Sequence, residues 1–233
     1  KSVYELSLIA LITPWVGGLL AGLIGSKVNK SFTHWITTLG IFISFSISCW
    51  ILVEVLLNPS LFLNQTIYEW MSIAGFNFKA GILIDHLTVS MMAVVTFISL
   101  MVHIYSIGYM HDDPGYHRFF CYISLFTFAM LLLVMANNLL QLFFGWEGVG
   151  LMSYLLIGFW YKKESAIQAN FKAFIVNRVG DMGLLLGIAV IFSIIGSLDY
   201  QTIFNSSTEL VKAKISITNG YSVSAVTLAC LLL

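Results

Sequence analysis

Glu147 is the only charged residue between Phe119 and Tyr161, and a carboxyl set in so apolar a stretch suits proton traffic. A carboxyl in hydrocarbon favours its neutral form, whereas a cation brought close favours the carboxylate. Such a group loads a proton when alone and releases one when a positive partner approaches. The competing reading makes Glu147 half of a structural ion pair between two helices, but ionisable residues inside a membrane mark functional sites by default. Gly145, Gly148 and Gly150 thin the helix around it, and Tyr154, seven residues on, shares its face. Arg178 and Asp181 stand three residues apart on a later helix, so they lie on one face and can pair. That pairing also lets a purely structural role account for them. Lys172, further toward the helix end, either snorkels outward or lines the same path.

Histidines carry less. His103 is read first as an interfacial or hydrogen-bonded residue and second as a proton relay. His111, Asp112, Asp113 and His117 match no metal-ligand spacing and read as a turn. His34 and His103 both fall near helix ends on one side, a poor arrangement for haem. Cys49, Cys121 and Cys230 lie far apart in apolar stretches, as small packing residues do. The sequence holds no phosphate-cradling Gly-rich loop, no nucleophile elbow and no Cys-x-x-Cys. Neither a metal nor a cofactor is expected in this chain.

The elements that position these groups follow from composition. Hydrophobic residues make up 59% of the 233 positions and charged ones 9%, with 11 basic and 11 acidic side chains. A soluble domain carries about a quarter charged residues, so this is a membrane protein, and its scattered lysines offer no nucleic-acid face. Leu6–Ile24, Trp35–Val53 and Phe119–Trp146 are free of charge, while one crossing of the bilayer takes roughly 20 apolar residues. The expected fold is all-α, a polytopic transmembrane bundle of about six spans plus the start of a seventh, with a small extramembrane β-hairpin.

The first helix is expected over Val3–Gly25, with Pro14 tolerated inside it by bundle neighbours. The second covers Phe32–Leu57 and ends at Asn58-Pro59. Residues 60–81 alternate in character around Gly75 and predict the hairpin, with Thr66–Ala74 and Phe76–Ala80 as its strands. A third helix is expected over Ile82–Met110. The apolar run from Phe119 to Tyr161 is twice too long for one crossing, so it must fold back at Asn137-Asn138 into a fourth and a fifth helix. A sixth helix follows over Ala166–Ile195, then a polar loop from Gly196 to Gly220 and a seventh helix. Three regions result: residues 1–57 with the first two helices, 58–81 with the hairpin, and 82–233 with the helices bearing the charges. Lys27, Lys30, Arg118, Lys162 and Lys163 belong on the cytoplasmic or matrix side, with Lys1 and Lys79 opposite. Lys1 in place of Met and an apolar run at Leu233 lead us to expect a piece of a longer chain.

The stretch Trp146-Glu147-Gly148-Val149-Gly150-Leu151-Met152-Ser153-Tyr154, continuing to Trp160, closely resembles the signature of the largest antiporter-like membrane subunit of respiratory complex I. That family is subunit L in bacteria and chain 5 in mitochondria. Asp85-His86-Leu87-Thr88, His103-Ile104-Tyr105-Ser106 with Tyr109-Met110, and Lys172-Ala173-Phe174 with Asn177-Arg178-Val179-Gly180-Asp181 resemble it too. Together they cover residues 78–190. The resemblance implies a proton-translocating subunit of NADH:quinone oxidoreductase, with FMN, iron–sulfur clusters and quinone in other subunits. It also implies that Glu147 is the family's membrane glutamate and that Arg178 and Asp181 flank its channel. The family's partner lysine stands in a broken seventh helix, past Leu233. Expected partners are the other membrane subunits, above all a neighbouring antiporter-like subunit, together with lipid and protons. The expected location is a bacterial cytoplasmic membrane or a mitochondrial inner membrane, with the bacterial one favoured. The rivals are the large subunit of a multisubunit cation/proton antiporter and a structural scaffold; Gly148-Val149-Gly150 after Trp-Glu favours complex I over the antiporter.

Overall fold

The computed structural model describes residues 2–73, 76–218 and 221–232. Among the described residues six helices are long and apolar enough to cross a membrane: α1 (Ser2–Leu23), α2 (Lys30–Leu57), α3 (His86–Tyr109), α4 (Tyr116–Val134), α5 (Leu139–Ile157) and α6 (Glu164–Ile195). Between α2 and α3 an antiparallel hairpin is formed by β1 (Leu63–Ile73) and β2 (Phe76–Ile84). After α6 come α7 (Tyr200–Asn205), α8 (Ser207–Lys212), β3 (Lys214–Thr218), β4 (Tyr221–Ser224) and α9 (Ala225–Leu232). The expected turn of the first hairpin, at Ala74 and Gly75, lies outside the described residues, as does Lys1.

α1 packs on α2 and α4, α2 on α3, α4 on α5, and α5 on α6. Pro14 shows how the first contacts are chosen. Proline has no N–H to donate, so the Ala10 carbonyl four residues earlier loses its helical partner. In lipid no water replaces it. Ser44 of α2, fully buried, supplies the missing donor: its Oγ donates to the Ala10 oxygen at 2.7 Å. Ser124 of α4 likewise donates to the Pro14 oxygen at 2.9 Å, so two helices hold α1 where its own ladder is weakest. Ser44→Ala leaves the Ala10 carbonyl with only the long 3.5 Å contact from Thr13. It is expected to cost about 1–2 kcal/mol, the penalty of an unsatisfied buried acceptor, read as a lowered unfolding temperature of the detergent-solubilised protein; no shift would show that Ser44 is dispensable.

The third helix begins at His86, not at Ile82 as the hydrophobic run suggested. Ile82 and Ile84 are fully buried and belong to β2, where they pack with Val55, Leu131 and Met135. Asp85 then starts the helix, its carboxylate accepting the Thr88 N–H at 2.7 Å. Apolarity alone cannot separate the end of a buried strand from the first turn of a span.

The fold-back at Asn137-Asn138 occurs where expected, and both side chains are buried. Asn138 caps α5, its Oδ1 accepting the Gln141 N–H at 2.8 Å, while its Nδ2 donates to the Lys79 carbonyl at 2.8 Å. Asn137 donates to Asn64 Oδ1 at 2.9 Å, and Gln141 accepts the Gly81 N–H at 2.9 Å. The turn thus fastens the hairpin to the bundle. The Leu139 N–H donates to the Leu198 carbonyl at 3.0 Å, and the Tyr200 N–H to the Asn137 carbonyl at 3.2 Å, which draws the chain after α6 to the same end. Burial there pushes the Tyr200 hydroxyl up to about 12.

The polar loop expected over residues 196–220 is instead two short helices and a strand, and β3 pairs with β4, Lys214 opposite Ser224. Lys214-Ile215-Ser216-Ile217-Thr218 alternates with period two and is followed by Asn219-Gly220, a two-residue hairpin signal. Low hydropathy concealed it. α9, the start of the expected seventh helix, packs on α6.

At the opposite end, Lys30 Nζ donates to the His111 carbonyl at 2.6 Å, and Arg118 Nη2 to the Phe159 carbonyl at 2.8 Å. The α1–α2, α3–α4 and α5–α6 turns therefore share one end of the bundle, and with them Lys30, Arg118 and the Lys162-Lys163 turn.

Candidate functional site

α5 owes its position to its glycines. A Cβ built on Gly145 would lie 2.7 Å from Leu133 Cα and 2.8 Å from its N, so the α4 backbone occupies the space a side chain would need. Gly148 meets Ala129 on the same side. With that face closed on α4, the neighbouring face carrying Trp146 and Glu147 turns toward α6. Gly150 does something else: nothing lies within 4 Å of its added Cβ, and it lines a cavity instead.

Arg178 of α6 reaches across to Glu147, its Nη1 donating to Glu147 Oε2. The same Nη1 lies 3.6 Å from Asp181 Oδ2 on its own helix. Asp181, 8% exposed, accepts a hydrogen bond from Trp146 Nε1 at 2.9 Å. One guanidinium therefore stands between two carboxylates, and an indole N–H holds the second of them. Side-chain exposure falls from 42% at Arg178 to 23% at Glu147 and 11% at Asp181.

The Arg178 guanidinium also sits 5.1 Å from the Phe174 ring centroid, and Phe174 meets the Tyr154 ring edge-on at 5.4 Å. Tyr154 thus borders the cluster through Phe174 without bonding to it. Lys172 stands apart, exposed and without an ion pair among the described residues. His103 is also elsewhere: fully buried in α3, its Nδ1 lies 2.8 Å from the Ser99 carbonyl and its ring meets Phe120 edge-on.

Trp146 was not singled out by sequence, because tryptophan in a span reads first as an interfacial or lipid-facing residue. Adjacent residues on a helix point about 100° apart, so Trp146 and Glu147 can both address one neighbouring helix; that adjacency was the available signal. Ser153 and Asn177 were missed as well. With Trp146, Gly150, Gly180 and Asp181 they line a cavity of about 430 Å³ between α4, α5 and α6. A space of that size with several polar partners can hold water. Among the described residues no three His, Cys, Asp or Glu side chains gather as a metal site, and Cys49, Cys121 and Cys230 are free thiols.

Two family models match the chain: "NADH-Ubiquinone oxidoreductase (complex I), chain 5 N-terminus" over residues 70–120 and "NADH:quinone oxidoreductase/Mrp antiporter, TM" over residues 136–233. NADH-quinone oxidoreductase subunit L of Neisseria meningitidis serogroup A is 49% identical over 230 residues, covering 98% of this chain and 34% of that protein. NADH-ubiquinone oxidoreductase chain 5 of Dictyostelium citrinum is 43% identical over 95% of this chain and 33% of its own length; that of Triticum aestivum is 44% identical over 97% and 33%. The chain spans about a third of the length of these relatives. A solved structure of the membrane-bound sulfane sulfur reductase, an archaeal respiratory membrane complex, contains a chain with the same fold. Its TM-score is 0.72 at 16% identity, covering 84% of this chain and 39% of that one. Six spans and relatives of this kind make this an integral inner-membrane protein. The chain belongs to the family of NADH-quinone oxidoreductase subunit L and NADH-ubiquinone oxidoreductase chain 5.

Proposed function

We propose that this chain is the part of a proton-translocating membrane subunit of NADH:quinone oxidoreductase that carries its membrane glutamate, Glu147. The observation that carries this reading is a single guanidinium, Arg178, bonded to Glu147 and 3.6 Å from Asp181. A guanidinium placed between two acids has two carboxylates to lean on. When Arg178 leans on Asp181, Glu147 is left in apolar surroundings and takes up a proton; when it returns, the carboxylate is favoured and the proton leaves. Trp146 keeps Asp181 oriented for both positions. Water in the cavity beside Asp181, Ser153 and Asn177 connects the pair to the next donor. NADH oxidation, FMN, the iron–sulfur clusters and quinone reduction belong to other subunits, and this chain packs among the other membrane subunits, beside an antiporter-like neighbour.

Glu147→Gln in the assembled complex tests the reading. NADH oxidation should continue while protons moved per NADH fall, measured in proteoliposomes; an unchanged ratio would refute it. A triad that only fastened helices would stay paired through turnover and give no carboxyl band in infrared difference spectra, whereas a proton-carrying Glu147 should give one that the Gln variant removes.

The second family model is shared with Mrp antiporters, which favours a cation/proton exchanger as the other reading. The relatives above carry oxidoreductase names. Co-purification with flavin and iron–sulfur subunits would decide for the oxidoreductase, and purification without any electron donor for the exchanger.

A further inference from the structure

At the end of the bundle away from the first hairpin, a cavity of about 860 Å³ lies between the α3–α4 turn, α4 and the α5–α6 turn. Arg118, Lys162 and Lys163 line it. None of the three forms an ion pair with a carboxylate among the described residues. The acid on its wall, Asp113, is already occupied: Oδ1 accepts the Gly115 N–H at 2.6 Å and Oδ2 the Trp160 Nε1–H at 2.9 Å. Three positive charges therefore face a space whose carboxylate is already bonded to Gly115 and Trp160.

Arg118 is held ready. Its Nη2 donates to the Phe159 carbonyl at 2.8 Å, and its guanidinium lies 4.7 Å and 5.1 Å from the Phe159 and Tyr161 ring centroids. A planar donor fork fixed in this way loses little freedom on meeting an oxyanion, and its geometry suits phosphate. The two lysines are exposed, with Lys163 Nζ 4.9 Å from the Trp160 ring centroid.

The rest of the lining has another character: Gly22 of α1 and Cys121 and Tyr122 of α4 bring no charge to it. A cationic rim meeting an apolar wall matches an amphiphile. Free phosphate would use the rim alone. Trp160 and Tyr161 stand where aromatic side chains anchor at the membrane interface, and basic pockets between spans on the positively charged side select anionic headgroups.

We propose that this cavity seats the phosphate of an anionic phospholipid, with Arg118, Lys162 and Lys163 around the phosphate and an acyl chain lying against α1 and α4. The site is independent of Glu147 and of what the chain transports.

Photo-crosslinking tests it in the whole complex, reconstituted in nanodiscs of phosphatidylcholine with a minor share of phosphatidylglycerol. A photoreactive benzoylphenylalanine replaces Tyr122, and NADH oxidation confirms assembly. The lipid captured should be enriched in phosphatidylglycerol over the bilayer ratio. Lys162→Gln with Lys163→Gln should lower that enrichment by roughly five-fold per lysine removed, whereas Lys162→Arg with Lys163→Arg should keep it. Capture at the bilayer ratio, or enrichment untouched by the glutamines, would overturn the site. Loss of enrichment on adding inorganic phosphate at constant ionic strength would overturn the lipid assignment and make free phosphate the ligand.

Discussion

Arg178→Met should be among the most damaging single changes in this chain. It strands Glu147 and takes the nearby positive charge from Asp181, which keeps its hydrogen bond from Trp146. Arg178 lies about 21 Å along α6 from Glu164, well inside the apolar zone, where no other cation stands by to replace the lost partner among the described residues. An unpaired charge at such a depth costs about 2.5–3.5 kcal/mol on insertion scales, which corresponds to roughly a hundredfold drop in the folding equilibrium constant. Removing one member of a buried pair is worse than removing both. Glu147→Gln added to Arg178→Met should therefore recover part of the assembled complex without recovering proton transfer. Both are read from the amount of chain retained in the purified complex and from protons moved per NADH. Equal losses in the single and double variants would show that no coupling joins the two residues.

Gly145→Ala should be nearly as severe for a different reason. The new methyl would lie 2.7 Å from the Leu133 Cα and Cβ, and helix backbone cannot rotate away as a side chain does. Overpacking of this kind costs about 1–3 kcal/mol, and a clash with backbone belongs at the upper end. α5 must then shift as a body, which breaks the register between Glu147 and Arg178. Gly150→Ala is the control, because nothing lies within 4 Å of its Cβ. It should be neutral, or stabilising by up to about 1 kcal/mol from helix propensity. Thermal unfolding of the two purified variants separates the cases; matching midpoints would show that α4 and α5 are not held at this glycine.

Much of the site was legible without coordinates. Glu147, Arg178 and Asp181 stood out because charge in an apolar run is costly, and the helical rise placed them at similar depth. The same reasoning says nothing about rotation around a helix axis. Trp146 was overlooked for that reason: its partner lies 35 positions away on another helix. Lys172 and His103 show the converse, since both are ionisable residues in spans yet neither touches the Glu147 cluster. The second hairpin was overlooked because low hydropathy outweighed a period-two pattern ending in Asn-Gly.

The number of spans and the level of each intramembrane charge are determined by the sequence alone, because hydrophobic length and rise per residue are local properties. Tertiary structure decided the rest: that α5 turns Glu147 toward α6, that Trp146 holds Asp181, that Ser44 completes the helix Pro14 interrupts, and that the Asn137-Asn138 turn fastens the hairpin. Each depends on which faces of different elements meet. That is settled by close contacts such as Gly145 against Leu133, where a fraction of an ångström in packing selects one rotation over the others.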